Sequence, residues 1–152
     1  MARALLDANI LVYAFCRQDR GKQRLAADLI RRLAQSRTGA LSTQTLAEFY
    51  RAATRALPDR LPPALAQERL RELGAAFPVH DITLPLVLEA ARGAAEHQMS
   101  YWDAQVWATA KLNQIPYILT ENMQGHETLE GVRFLNPLSR DFDLQVVIRR
   151  RG

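Results

Sequence analysis

Short apolar runs alternate along this chain with longer stretches whose apolar residues recur every three or four positions. The first kind of pattern predicts buried strands and the second predicts helices. Residues 3–6 (Arg-Ala-Leu-Leu) read as a strand running into Asp7, and residues 8–16 as a strongly apolar helix. Leu25, Leu29, Ile30 and Leu33 give residues 22–37 a helical face, which Gly39 ends. Ala40-Leu41 predicts a second strand, with Ser42 or Thr43 capping a helix to about residue 57. Pro58, Pro62 and Pro63 mark a break and a fresh start, and a helix runs to about Ala76. Residues 79–82 (Val-His-Asp-Ile) predict a third strand. Thr83 then caps a helix with Pro85 in its first turn, ending near His97. Ser100 opens a further helix over 102–113.

Tyr117-Ile118-Leu119 is the fourth predicted strand, and a polar loop follows it. Val132-Arg133-Phe134-Leu135 is the fifth, stopped by Asn136-Pro137. Phe142, Leu144, Val146 and Ile148 alternate with polar residues, so the tail reads as an edge strand. Strands alternating with helices imply an α/β fold on a parallel sheet covered on both faces. Such sheets bind ligands at the carboxyl ends of their strands. The expected division is a domain over 1–137 and a tail over 138–152.

Composition narrows the class. A chain of 152 residues is long enough for one domain that buries a sizeable core. Cys16 is the sole cysteine, which excludes an internal disulfide and a cysteine zinc cluster. The three histidines (His80, His97 and His126) are scattered singly and read as structural or solvated. The N-terminal apolar run is interrupted by Asp7 and lacks a small-residue cleavage site, so it is not a signal peptide. No apolar run approaches the length of a membrane span. A cytoplasmic protein is expected. Charge adds a further hint: 20 basic residues face 16 acidic ones, and 18 of the 20 are arginine. Arg17, Arg20, Lys22, Arg24, Arg31, Arg32 and Arg37 crowd one segment, and Arg149, Arg150 and Arg151 cluster near the end. Arginine suits phosphate through paired hydrogen bonds, whereas the plainer reading is a solvated helix face.

The candidate chemistry sits at strand ends. Asp7 follows the first strand, Ser42-Thr43 the second and Thr120-Glu121-Asn122 the fourth, while Glu48 and Asp103 lie on helices. If the strands are neighbours, these groups share one cleft. Crowded carboxylates resist ionising together, and a hard divalent cation resolves that conflict. Each residue also has a plainer reading. Asp7 is placed to cap the next helix. Asp103 is placed for a capping box with Ser100, yet Trp102, Val106, Trp107, Ala110 and Leu112 make its helix apolar nearly all round. A lone carboxylate there calls for a cation or a cleft. Glu48 lies opposite the apolar face formed by Leu46, Phe49, Tyr50, Ala53 and Leu57, as a solvated surface glutamate would. Glu121 is a loop residue. Cys16, Trp102 and Trp107 read as core.

Four segments in order, LLDANILVYAF, TLAEFYR, SYWDAQVWATA and YILTEN, with the closing RFLNP, resemble the PIN domain. More narrowly they resemble the VapC-type ribonuclease toxins of bacterial toxin–antitoxin pairs. The resemblance spans about Leu5 to Pro137. It implies a three-layer α/β/α sandwich and an acidic site that binds Mg²⁺ or Mn²⁺ and hydrolyses RNA. Carried over residue by residue, it implies Asp7, Glu48 and Asp103 as metal-binding and catalytic acids. It places Asn9 two positions after the first acid. At the fourth corner this chain reads Thr120-Glu121-Asn122, with Asn122 where an aspartate is expected; either Glu121 substitutes as the acid or Asn122 positions the water or metal as a neutral ligand. Asn9, Thr120 and Asn122 are then polar substrate-binding positions.

The resemblance further implies a homodimer and a small antitoxin partner that covers the cleft. The expected activity is metal-dependent endoribonuclease action, with the basic segment over 17–37 as an RNA-contacting surface. Asn122 favours a second reading, a degenerate domain that binds RNA or protein without cleaving. The same carboxylates could also serve a phosphatase or a DNA nuclease.

Overall fold

The computed structural model describes residues 1–16, 19–55, 59–122 and 127–149. Arg17, Leu57, Pro58, His126, Arg150 and Arg151, named above, lie outside them. The elements in chain order are β1 (Ala4–Leu6), α1 (Ala8–Phe15), α2 (Arg20–Ser36), β2 (Gly39–Ser42), α3 (Thr43–Arg55), α4 (Pro63–Ala76), β3 (Val79–His80), α5 (Leu84–His97), α6 (Tyr101–Leu112), β4 (Tyr117–Leu119), β5 (Thr128–Leu129), β6 (Val132–Leu135) and α7 (Leu144–Ile148).

The strands form one sheet in the order β3-β2-β1-β4-β6-β5. All neighbours are parallel except the β5–β6 pair. Side chains alternate across the sheet with period two. Leu5, Ala40, Ile118 and Phe134 face a core shared with Leu86 and Ala90 of α5 and Trp107 of α6. Ala4, Leu6, Leu41 and Leu119 face the opposite core, with Ile10 and Leu11 of α1, Leu33 of α2 and Phe49 of α3. This is the expected three-layer α/β/α sandwich. On the first face α5 and α6 pack tightly because Gly93 has no side chain. A Cβ there would meet the Trp107 ring at 2.3 Å.

The connections decide where a site can form. The chain leaves β1 through α1 and α2 towards β2, then returns through α5 and α6 to β4 on the other side of β1. Strand order therefore reverses at the β1–β4 junction, where the loops diverge and leave a crevice at the carboxyl ends.

Three sequence expectations are corrected. The tail is not an edge strand. Asp143 caps a short helix, its Oδ1 accepting from the Gln145 amide at 2.9 Å. Leu144 and Val147, three apart, are then buried in the core, and Val146 is left 42% exposed. The alternation of four apolar residues fits this helical spacing as well as a strand's, and packing decides. The sheet edge is instead β5, in what reads as a polar loop. Glu130 (φ 47°) and Gly131 (φ 85°) form a two-residue turn in the left-handed region, which pairs Leu129 with Val132. Finally, Trp102 is not core: it is 62% exposed, whereas Trp107 and Cys16 are buried. Among the described residues, no helix is long and apolar enough to cross a membrane.

Candidate metal and nucleic-acid site

Asp7 stands where β1 ends and α1 begins. Its Oδ1 accepts from the Ala8 amide at 2.8 Å, so it caps α1 as a plain reading predicts. Its second oxygen goes elsewhere. Oδ2 accepts from the Thr120 hydroxyl at 2.9 Å, which fastens the end of β1 to the end of β4. Thr120 Oγ1 in turn accepts from Asn9 Nδ2 (3.0 Å) and from the Asn122 amide (3.2 Å). Asn9 Oδ1 accepts from the Glu121 amide at 3.4 Å. The polar residues of both strand ends thus form one hydrogen-bonded cradle around Asp7.

Glu48 comes to the same place from α3. Gln44, one turn earlier, donates through Nε2 to Glu48 Oε1 and to the Trp102 carbonyl, both at 3.1 Å. This amide ties α3 to the first turn of α6, where Asp103 sits. Ser100 caps α6 by accepting from the Asp103 amide at 3.2 Å. The Asp103 carboxylate is not consumed by capping, because its Oδ2 is buried with no hydrogen-bond partner.

The acids act on one another electrostatically: Asp103 on Asp7, and both on Glu48. Burial raises the Asp7 carboxyl above its ordinary value, against the opposing pull of Thr120 and Ala8, and the Asp103 charge adds to the rise. Glu48 is raised by burial and by the charges of both Asp7 and Asp103, with Gln44 opposing. Like charges in a partly desolvated cleft disfavour one another's ionisation. The donor set is hard oxygen, the charge is uncompensated, and one buried oxygen is an orphan. That set fits a divalent cation of the Mg²⁺ or Mn²⁺ class.

The fourth corner is arranged differently. The Glu121 carboxylate accepts from the Tyr13 hydroxyl at 2.9 Å and pairs with Lys22 Nζ at 3.0 Å. Lys22 also lies 4.8 Å from the centroid of the Tyr13 ring, and Glu121 raises its pKa. Asn122 is exposed. The structure therefore brings Asp7, Glu48 and Asp103 together with Asn9 and Thr120, and ties Glu121 to Lys22 and Tyr13.

Sequence reasoning passed over Gln44 and Tyr13, and took Lys22 only as part of the basic segment over 17–37. Gln44 was within reach, because residues four apart share a helix face. The Lys22 and Tyr13 contacts span 99 and 108 residues, and nothing local announces them.

A second group of candidate ligands is built otherwise. Glu96, His97 and Glu130 place ligand atoms within 4.8 Å of one another. Arg92 and Lys111 already neutralise this cluster, and His97, Arg92 and Lys111 hold Glu130 down at about 2. It is an ion-pair network tying β5–β6 to α5 and α6.

The fold has counterparts. A toxin–antitoxin complex from Klebsiella pneumoniae superposes with a TM-score of 0.64 at 22% identity, covering 88% of this chain and 97% of that one. DNA-bound VapBC from Salmonella typhimurium gives 0.66 at 16% identity, covering 90% and 99%. VapC20 from Mycobacterium tuberculosis, a sarcin-ricin loop cleaving toxin, gives 0.61 at 19% identity, covering 78% and 89%. No curated protein matches the chain. The sequence profile of the PIN domain matches residues 4–126. With that match over most of its length, and a sheet whose crevice gathers the three acids, this chain belongs to the PIN domain family.

Proposed function

We propose that this protein is an Mg²⁺- or Mn²⁺-dependent endoribonuclease, the toxin of a toxin–antitoxin pair, working in the cytoplasm. The observation that carries the reading is the buried, unpartnered Asp103 Oδ2 beside two carboxylates whose pKa values it helps to raise. Family membership supports nuclease chemistry, and the toxin–antitoxin neighbours support a small protein partner. A homodimer belongs to the same reading.

Asp7, Glu48 and Asp103 would hold the metal. When bound, the ion supplies an acidified water and charge neutralisation at a scissile phosphate. The chain's own residues prepare for that. Thr120 and the Ala8 amide fix both oxygens of Asp7, and Gln44 fixes Glu48, so little reorganisation remains. Asn9, Thr120 and Asn122 line the strand ends as polar contacts for substrate. Glu121, the fourth acid, acts through Lys22 and Tyr13, in a charge-compensated pair at that corner of the cleft.

The test is RNA cleavage in Mg²⁺ or Mn²⁺ by Asp7→Asn and Asp103→Asn variants that remain folded. Each should lose about 100-fold or more, the scale of removing one charge-stabilising group. Undiminished cleavage in both rejects the assignment. The absence of an acid at Asn122 favours a second reading, a domain that binds RNA or protein without cutting. An inactive wild type that binds Mn²⁺ only feebly would establish it.

A further inference from the structure

Beside the acids, and sharing Glu48 with them, lies a groove of about 530 Å³. Its lining includes Gln44, Glu48, Arg51, Ile82, Trp102 and Gln105. Trp102 is the conspicuous member. Among the described residues it is the sole aromatic side chain among the large apolar groups left exposed, at 62%. Every residue from Ala104 to Ala110 on the same helix is buried. Nothing in the packing of α6 asks for an indole at this position, and holding one in water forfeits a large burial gain.

The indole is nevertheless held firmly. The Tyr101 ring meets it edge to face, with centroids 5.2 Å apart and planes at 75°. Tyr101 is itself anchored by donating its hydroxyl to Gln105 Oε1 at 2.7 Å. The Trp102 carbonyl is pinned by Gln44 Nε2. That leaves Gln44 Oε1 as a second buried oxygen with no hydrogen-bond partner, on a side chain only 7% exposed. Gln105 spends its oxygen on Tyr101, so its amide N–H groups are the donors it can offer a ligand. Arg51 adds an exposed cation three residues beyond Glu48.

We infer that this groove is a nucleobase-binding subsite, in which Trp102 stacks an unpaired base next to the phosphate to be cut. The inference rests on the endoribonuclease reading and adds to it the side chain that holds a base beside the cut, Trp102. A flat aromatic face, amide groups and a cation are what a splayed-out RNA base and its phosphate require. Within this mainly apolar groove, the orphan Gln44 Oε1 and the Gln105 amide N–H groups offer the acceptor and donors that a base edge can pair with. Glu48 belongs both to the groove and to the acidic trio, so a base seated here is adjacent to the reacting phosphate. The Tyr101 ring against the indole lowers the ordering cost of stacking on the protein side.

The test separates binding from cutting. Short single-stranded homo-oligoribonucleotides of A, C, G and U are titrated onto the protein in EDTA, following tryptophan fluorescence. Trp107 is fully buried, so the iodide-accessible emission belongs to Trp102. RNA should quench that emission and shield it from iodide. Trp102→Leu should weaken binding by about tenfold or more, while Trp102→Phe, which keeps an aromatic face, retains most of it. Trp102 is exposed, so neither change disturbs the core.

Equal RNA affinity in wild type and Trp102→Leu, with Mn²⁺-dependent cleavage intact, overturns the subsite and leaves the nuclease reading standing. Absence of RNA binding, or shielding of Trp102 by an antitoxin peptide alone, also overturns it. Trp102-dependent RNA binding without any cleavage supports the subsite and overturns the nuclease reading.

Discussion

The Thr120 hydroxyl donates to Asp7 Oδ2 across 113 residues of sequence, at 2.9 Å. This contact is the side-chain interaction that most opposes the upward push of burial on Asp7. Removing it leaves a metal ligand that is harder to ionise and free to turn. Thr120→Val keeps the shape and deletes the hydroxyl. Mn²⁺ affinity, measured by calorimetry, should fall about 10-fold or more, as it does when hydrogen bonds behind metal ligands are lost. Thr120→Ser should restore most of it. Equal affinity in Thr120→Val and wild type would show that Thr120 merely joins two strands.

The raised carboxyl of Asp7 also carries a stability cost. A group whose folded pKa lies above its unfolded value supports the fold while protonated. That support is lost as pH rises from the unfolded value through the folded one. Above the ordinary value of 3.8, ionised Asp7 therefore weighs against the metal-free fold. Asn at this position keeps an oxygen for the Ala8 amide and is a good helix cap. Metal-free Asp7→Asn should melt at a higher temperature than wild type at neutral pH, and the gap should close below pH 3.8. Saturating Mn²⁺ should reverse the order by stabilising wild type alone, by about 2.7 kcal/mol at a hundredfold excess over Kd. A variant less stable than wild type without metal would sink this account.

Much of the fold was legible because local pattern and tertiary packing agree. Asp7 followed by an apolar run, Thr83 before Pro85 and Ser100 before Tyr101 mark helix starts where caps form. Period-two burial of three-residue strands cannot show in so few residues, but their uniform apolarity reports a sheet covered on both faces. The tail misled because apolar residues at 142, 144, 146 and 148 fit either period, and only the core around Val147 chooses. Glu48 looked solvated because a cleft wall and a surface are equally polar. Trp102 looked buried because its helix is apolar, and a residue kept at the surface for a ligand leaves no trace in periodicity. What joins the acids, Thr120 to Asp7 and Gln44 to Glu48 and Trp102, is long-range contact that a single chain does not announce.

The Glu121–Lys22 pair gives a prediction about the fourth corner. Lys22 and Tyr13 occupy the carboxylate, so its charge is spent within the protein. Glu121→Gln should leave Mn²⁺ affinity within about twofold of wild type, the small effect of removing one partly exposed pair. It should also release Lys22, adding a free cation beside the cleft. RNA affinity should then rise, with a steeper dependence on salt. Calorimetry with Mn²⁺ and RNA binding at several salt concentrations check both parts. A tenfold loss of Mn²⁺ affinity would return Glu121 to the metal.

The ion-pair network on the far side of α5 and α6 makes an acid-sensitivity prediction independent of the site. Glu130 is held at about 2 by His97, Arg92 and Lys111, well below its ordinary 4.5. Glu89 is held at about 2 by Arg92 and Lys111. A depressed folded pKa supports the fold above the unfolded value, and the support is lost as pH falls through the folded one. The window is therefore from about 4.5 down to about 2. Glu130 is a third exposed, so solvent screens the network and the support is about 1 kcal/mol, the upper range for surface pairs. Glu130→Gln should unfold at lower urea than wild type at neutral pH by about that amount. The difference should fade through this window and shrink in high salt. Glu130 sits in the β5–β6 turn at φ 47°, a conformation that glutamine inherits unchanged, so backbone strain cancels in the comparison. A pH-independent difference would mean that Glu130 acts through turn packing and not through charge.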